Sequence, residues 1–239
     1  MIAGVEITKL NKHFMIAGYR NDVLKGFTAS FPEQEIVVIL GKSGCGKTTL
    51  LRIIVELEAY DSGEMLKPPT DAIGMVFQEP RLMPWLTVYE NIIFGLKKSQ
   101  LNQEAILEVM RLTELSGFEK AYPHQLSGGM QQRTAIARTL LCEPEMILLD
   151  EPFASLDYFT REMMQNKLLE IHAKTQKSVI FVTHNIDEAL ILGQRIIIMG
   201  DGGVKKEYNL TSYHYPRDLL DEQLIALKKN IMIEIGGTK

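Results

Sequence analysis

A surplus of positive charge is the first thing this chain lacks. Its 26 Lys and Arg are outnumbered by 30 Asp and Glu, a formal net charge of -4. Nucleic-acid binders concentrate Lys and Arg on one face, so this balance speaks against nucleic acid as a partner. Long apolar runs are missing as well. Nowhere do eighteen apolar residues follow one another, so no segment reads as crossing a bilayer. The opening MIAGVEITKL shows no basic stretch ahead of an apolar core, and no secretory leader is expected there. Cysteine is scarce: Cys45 and Cys142 are the only two. Cys45 falls inside a glycine-rich loop that a disulfide would obstruct, so a reducing compartment is expected. Internal repeats, low-complexity tracts and obvious linkers are absent too. What remains, 46% hydrophobic and 23% charged residues, is globular composition.

The apolar residues come in short bundles. EIVVIL, AIGMVF, EMILLD and SVIFVTH are compact runs rich in Ile, Val and Leu, the pattern of parallel strands covered on both faces. Helical patterns separate them, which predicts an α/β fold with a mostly parallel sheet. GVEITKLNKHF and VLKGFTASF alternate partly and predict an N-terminal antiparallel β layer. TVYENIIFGLKK, QEAILEVMRLTEL and GGMQQRTAIARTLL are helical patterns with no strand between them, so an α-helical subdomain inserted into the core is expected. The expected layout is one domain over 1–239. Its α/β core covers 1–78 and 144–208, its helical insert 79–143 and its C-terminal tail 209–239. RIIIMGDGGVKKEY reads as a hairpin, and RDLLDEQLIALKKN as a helix after it.

The chemistry begins at GKSGCGKT: Gly41, Lys42, Ser43, Gly44, Cys45, Gly46, Lys47 and Thr48, with Thr49 next. It fits G-x-x-x-x-G-K-[ST] between a strand and a helix, the context in which the pattern makes a phosphate loop of an NTPase core. Glycines let backbone N–H groups crowd around a phosphate, and the helix start adds partial positive charge. Charge-assisted hydrogen bonds contribute about 1.5–3 kcal/mol each, against about 0.3–1 kcal/mol for a helix dipole on an exposed anion. The loop and Lys47 should therefore dominate nucleotide affinity, with the Thr48 hydroxyl directed at Mg²⁺.

MILLDEP ends an apolar strand in Asp150 and Glu151. Strand alternation sends neighbouring side chains to opposite faces, so the two are expected to do different jobs. Asp150 is the candidate Mg²⁺ partner of Thr48, and Glu151 the group that would align a water against the γ-phosphate; the plain alternative is a solvated strand end. Gln78 and His184 also close apolar strands, where ligands bind in open α/β sheets. Ser127, Gly128 and Gly129 open a helix with a hydroxyl and free N–H groups, which is anion-binding equipment or a simple N-cap. One triphosphate has little use for two such sites in one chain.

GKSGCGKT, Gln78, LSGGMQQR, MILLDEP, ASLD and THNIDEA stand in the order and at roughly the spacing of ATP-binding cassette (ABC) ATPases. The chain resembles that family from about Val5 to about Tyr208. The resemblance implies a head-to-tail dimer that sandwiches two ATP molecules, each between one copy's phosphate loop and the other's Ser127–Gly129 lip. It also implies Glu151 as general base, His184 as the switch on the γ-phosphate, and Gln78 as the link from Mg²⁺ and water to the helical subdomain. Asp157 would make contacts across the dimer. Phe14 resembles the residue that stacks on adenine, with Tyr19 as its competitor.

Within the family, one cassette without long inserts is similar to transporter subunits rather than to translation or DNA-repair ATPases. EPRLMPWLTVYENIIFGL resembles the segment that touches a membrane partner, with Trp85 exposed there or alternatively in the core. PWLTVYENI and THNIDEALILGQRIIIM resemble the ATPase subunits of nitrate, sulfonate and taurine importers. This implies transmembrane permease subunits as partners, a solute-binding protein engaged indirectly, and a peripheral position at the cytoplasmic membrane face. The rival expectations are a soluble, non-transport cassette acting on ribosome or DNA, and a module that only senses nucleotide.

Overall fold

The computed structural model describes residues 4–236. Its centre is a six-stranded sheet in the order β5-β6-β7-β3-β8-β9. The strands β3 (Ile36–Leu40), β5 (Ile73–Val76), β6 (Met146–Asp150), β7 (Ser178–Thr183) and β8 (Arg195–Gly200) run parallel, while β9 (Gly203–Asn209) pairs antiparallel with β8. Every residue of β3, β6 and β7 is buried. That is why these runs show no apolar–polar alternation: both faces are covered.

Alternation survives in which side each residue serves. Ile36, Val38 and Leu40 join one apolar cluster, Val37 and Ile39 the other. The first is roofed by α5 (Tyr158–Thr175), α6 (Ile186–Leu192) and α7 (Glu222–Gly236), through residues such as Met164, Leu190 and Ile231. The second is closed by α1 (Lys47–Ile54) and by a separate antiparallel sheet, β2-β1-β4. That sheet consists of β1 (Val5–Ile16), β2 (Tyr19–Phe31) and β4 (Ser62–Leu66), the N-terminal layer expected from the sequence.

Three further helices, α2 (Val88–Ile92), α3 (Gln103–Leu112) and α4 (Gly128–Leu141), share a cluster around Val88, Ile106, Met110 and Ala137. α4 also gives Ala135 and Ile136 to the sheet's cluster and is the joint between the two bodies. α2 is shorter than the TVYENIIFGLKK pattern suggests, because the chain turns away at Gly95, whose φ is 92°. The tail departs from expectation too. RDLL is not helical, and α7 starts only at Glu222. Arg217 is occupied instead, donating to the carbonyls of Leu190 and Gly193 at 2.6 Å each and of Leu210 at 3.1 Å. Asp221 then accepts from the N–H of Gln223 and opens the helix. Both cysteines are free.

Candidate nucleotide-binding site

β3 hands the chain to α1 through the phosphate loop. At Gly41 an added Cβ would meet the Met199 carbonyl at 2.5 Å, so only glycine fits the close approach. Gly44 and Gly46 turn the loop with φ of 81° and 105°. No side chain caps α1, which leaves its first N–H groups free for an anion. Lys47 is only 4% exposed. Its ammonium folds back to donate to the carbonyls of Gly41 (2.8 Å) and Lys42 (3.0 Å), and it lies 3.9 Å from Glu151 Oε1.

Thr48 Oγ1 donates to Asp150 Oδ1 at 3.0 Å. Burial pushes the Asp150 carboxyl above its ordinary range, with the neighbouring Glu151 charge adding to the shift and the Thr48 hydrogen bond opposing it. A buried carboxylate held next to a hydroxyl is a donor set short of positive charge. It fits a hard divalent cation that takes one or two protein oxygens and completes its shell from phosphates and water.

Glu151 corrects the expectation from strand alternation. β6 ends at Asp150, and Glu151 adopts φ 45°, so the alternating rule no longer governs it. The two carboxylates still serve different partners: Asp150 meets the Thr48 hydroxyl, while Glu151 approaches Lys47 and His184. The Glu151 N–H donates to the Val182 carbonyl at 2.9 Å, and its Oε2 lies 2.8 Å from His184 Nδ1. Gln78, Lys47, Thr48, Thr49, Ser43 and Glu151 line one cleft of about 440 Å³. Asp150 stands behind Thr48, and His184 lines an adjoining hollow with Glu151.

Other expected residues lie elsewhere. Ser127 accepts from the Met130 N–H at 3.3 Å and caps α4, so the simple capping role is filled. Asp157 caps α5, accepting from the Thr160 N–H (3.1 Å) and hydroxyl (2.6 Å). The lip and Asp157 are neighbours, since a Cβ on Gly129 would lie 3.1 Å from Leu156. Neither they nor Phe14 and Tyr19 line the phosphate cleft. Phe14 is half-buried, opposite Asn21 in the β1–β2 ladder, with the Lys12 ammonium 4.6 Å over its ring; Tyr19 is 80% exposed. Cys45 is half-buried and lines a second hollow beside Lys42; burial pushes its thiol up.

Two supporting groups were not anticipated. Behind His184, the Thr183 hydroxyl donates to buried Glu188, and Arg161 Nε stands 3.6 Å from the same carboxylate. Behind Gln78, Gln132 donates to the Phe77 carbonyl (3.1 Å), and Arg138 to those of Pro80 and Arg81 (3.1 Å each). These bonds tie the lip's helix to the Gln78 segment; polar residues at buried helix positions, Gln132 and Glu188, were the readable signal.

Trp85 is 69% exposed, which excludes the core alternative. Its loop is fixed by the fully buried Asn91, which accepts from the Met83 N–H and donates to the carbonyls of Met83, Leu86 and Thr87. Among the described residues no helix is long and apolar enough to cross a membrane.

The sequence profile of the family described as ABC transporter matches residues 24–154. The chain is 42% identical to an uncharacterized ABC transporter ATP-binding protein of Methanocaldococcus jannaschii, over 95% of this chain and 90% of that one. It is 41% identical to the aliphatic sulfonates import ATP-binding protein SsuB of Bacillus subtilis, covering 98% and 95%. Among solved structures it is similar to a dimeric post-hydrolysis state of an ATP-binding cassette bound to ADP and Pi. The TM-score is 0.78 and the identity 34%, with 86% of this chain and 98% of that one covered. It is also similar to cbiO1 of Clostridium perfringens, part of an ABC transporter complex, with TM-score 0.77, 26% identity and coverage of 95% and 94%.

Proposed function

The chain belongs to the ABC transporter family as an ATP-hydrolysing subunit, and from that premise we propose that two copies close head to tail over two ATP molecules to drive solute import. The observation that carries this reading is a division within one chain. Lys47, Thr48, Gln78 and Glu151 share a cleft, while the lip, exposed Ser127 and Gly128 with half-buried Gly129, lies outside it. A second copy would bring its lip to the first copy's cleft.

In this reading Lys47 and the loop N–H groups bind the phosphates, and Phe14 stacks on adenine. Thr48, Asp150 and Gln78 would hold Mg²⁺, which supplies charge neutralisation at the phosphates. Glu151 accepts a proton from water as the water oxygen bonds to the γ-phosphorus and the bond to the ADP oxygen breaks. His184, fixed by Glu151 through Nδ1, keeps its other nitrogen for the γ-phosphate, and Asp157 meets the partner copy.

The Trp85 segment is the surface offered to a separate membrane permease, which would keep the cassette peripheral at the cytoplasmic face, with a solute-binding protein reached only through the permease. The names of the relatives support an aliphatic sulfonate as solute, within the nitrate, sulfonate and taurine group; nothing favours the ribosome- or DNA-directed alternative. Ser127→Arg tests the lent lip. Hydrolysis should fall at least a hundredfold while the single copy binds ATP as before, measured by steady-state turnover and fluorescent-nucleotide titration. Unchanged turnover would refute it.

A further inference from the structure

Two large aromatics stand bare at the start of α5, and no role assigned above uses them. Tyr158 is 70% exposed and Phe159 79%. Their ring centroids are 5.5 Å apart with planes at 87°, an edge-to-face pair. Aromatic side chains clustered at a surface mark the anchor positions of protein interfaces.

Their place on the fold indicates the partner. Asp157 precedes them and is tied down by Thr160. A Cβ on Gly129 would lie 3.1 Å from Leu156 and 3.8 Å from Thr160, so the lip, Asp157 and the aromatic pair form one continuous rim. Whatever closes on the lip must also meet the pair. The other side of that closure, the phosphate loop, carries matching chemistry. Lys42 and Lys25 are exposed and make no ion pair among the described residues. They edge a hollow of about 330 Å³ on the loop's outer flank; its carboxylates Asp22 and Asp201 are paired with Arg20 and Lys205, and Cys45, Met199 and Ile235 supply the apolar part of its wall. Unpaired ammonium groups at the edge of such a hollow suit the face of an aromatic ring.

We propose that Tyr158 and Phe159 of each copy clasp the lysine-edged hollow beside the partner copy's phosphate loop, adding an aromatic–ammonium anchor to the nucleotide-dependent dimer. This rests on the head-to-tail reading above and identifies side chains that would hold it.

The test uses the full chain carrying Glu151→Gln, so that ATP persists, and measures the dimer dissociation constant with ATP by sedimentation. Adding Tyr158→Ala together with Phe159→Ala should raise that constant at least tenfold, with Tyr158→Phe close to the parent. ATP affinity of the single copy and the far-UV circular dichroism should be unchanged, since both rings are exposed. A double variant that dimerises like its parent overturns the clasp alone. A parent that stays single-copy with saturating ATP overturns the head-to-tail reading and the clasp with it. Normal dimerisation with loss of the membrane complex would assign the pair to the permease and overturn the clasp.

Discussion

The carboxyl edge of the sheet and the outer rim of the molecule solve opposite problems. At the edge, strands β3, β5, β6 and β7 end side by side; Glu151 lies between Lys47 (3.9 Å) and His184 (2.8 Å), and Asp150 accepts from Thr48 (3.0 Å). At the rim, Ser127, Asp157 and Tyr158 are exposed, and among the described residues the first two bond their own helices. The edge is built to hold charge before any ligand arrives. The rim is a set of helix starts whose remaining groups have no counterpart among the described residues. That division is what the proposed head-to-tail pairing explains.

The largest expected effect comes from breaking the edge. Glu151→Gln removes the proton acceptor but keeps the shape, and turnover should fall about 10²–10⁴-fold with ATP affinity retained, read by phosphate release and nucleotide titration. Wild-type turnover would remove Glu151 from the role of base.

A smaller effect, of opposite sign, is expected from Asp150→Asn in the metal-free chain. Burial raises the folded-state pKa of Asp150 above its unfolded value, so the folded chain binds the extra proton. That contribution to stability is whole below the unfolded pKa and is lost as pH climbs through the folded value. At neutral pH the amide should therefore stabilise the nucleotide-free protein, each kcal/mol raising Tm by about 2–4 °C, with the gain vanishing in acid. A lower Tm at neutral pH would mean that Lys47 and Thr48 already compensate the carboxylate fully.

Much of this contrast was legible in the residues. The all-apolar runs of β3, β6 and β7 announced a sheet covered on both faces, and GKSGCGKT announced the loop between strand and helix. What escaped was set by backbone angles and distant partners. Nothing in MILLDEP declares that Glu151 adopts φ 45°, and that one dihedral swings its carboxylate to the Lys47 side. RDLL has helical residues, yet Arg217 is drawn to three carbonyls of the chain around 190–210, and the helix starts later. Arg138 was unreadable for the same reason: its partners, the carbonyls of Pro80 and Arg81, lie far away in sequence.

The smallest expected effect on the folded chain itself is away from both, on the Trp85 segment. Trp85→Ala removes a side chain that is 69% exposed and should change stability by no more than about 0.5 kcal/mol. Recovery of the cassette with a membrane permease should nevertheless drop sharply in a pull-down from solubilised membranes. Full recovery would separate Trp85 from that surface.

The most direct measurement of the central claim is turnover per molecule as the purified chain is diluted with ATP saturating. Two copies sharing each site predict a specific activity that falls with dilution and is restored by concentrating the sample. A rate per molecule that stays constant while sedimentation shows only single copies would contradict the account.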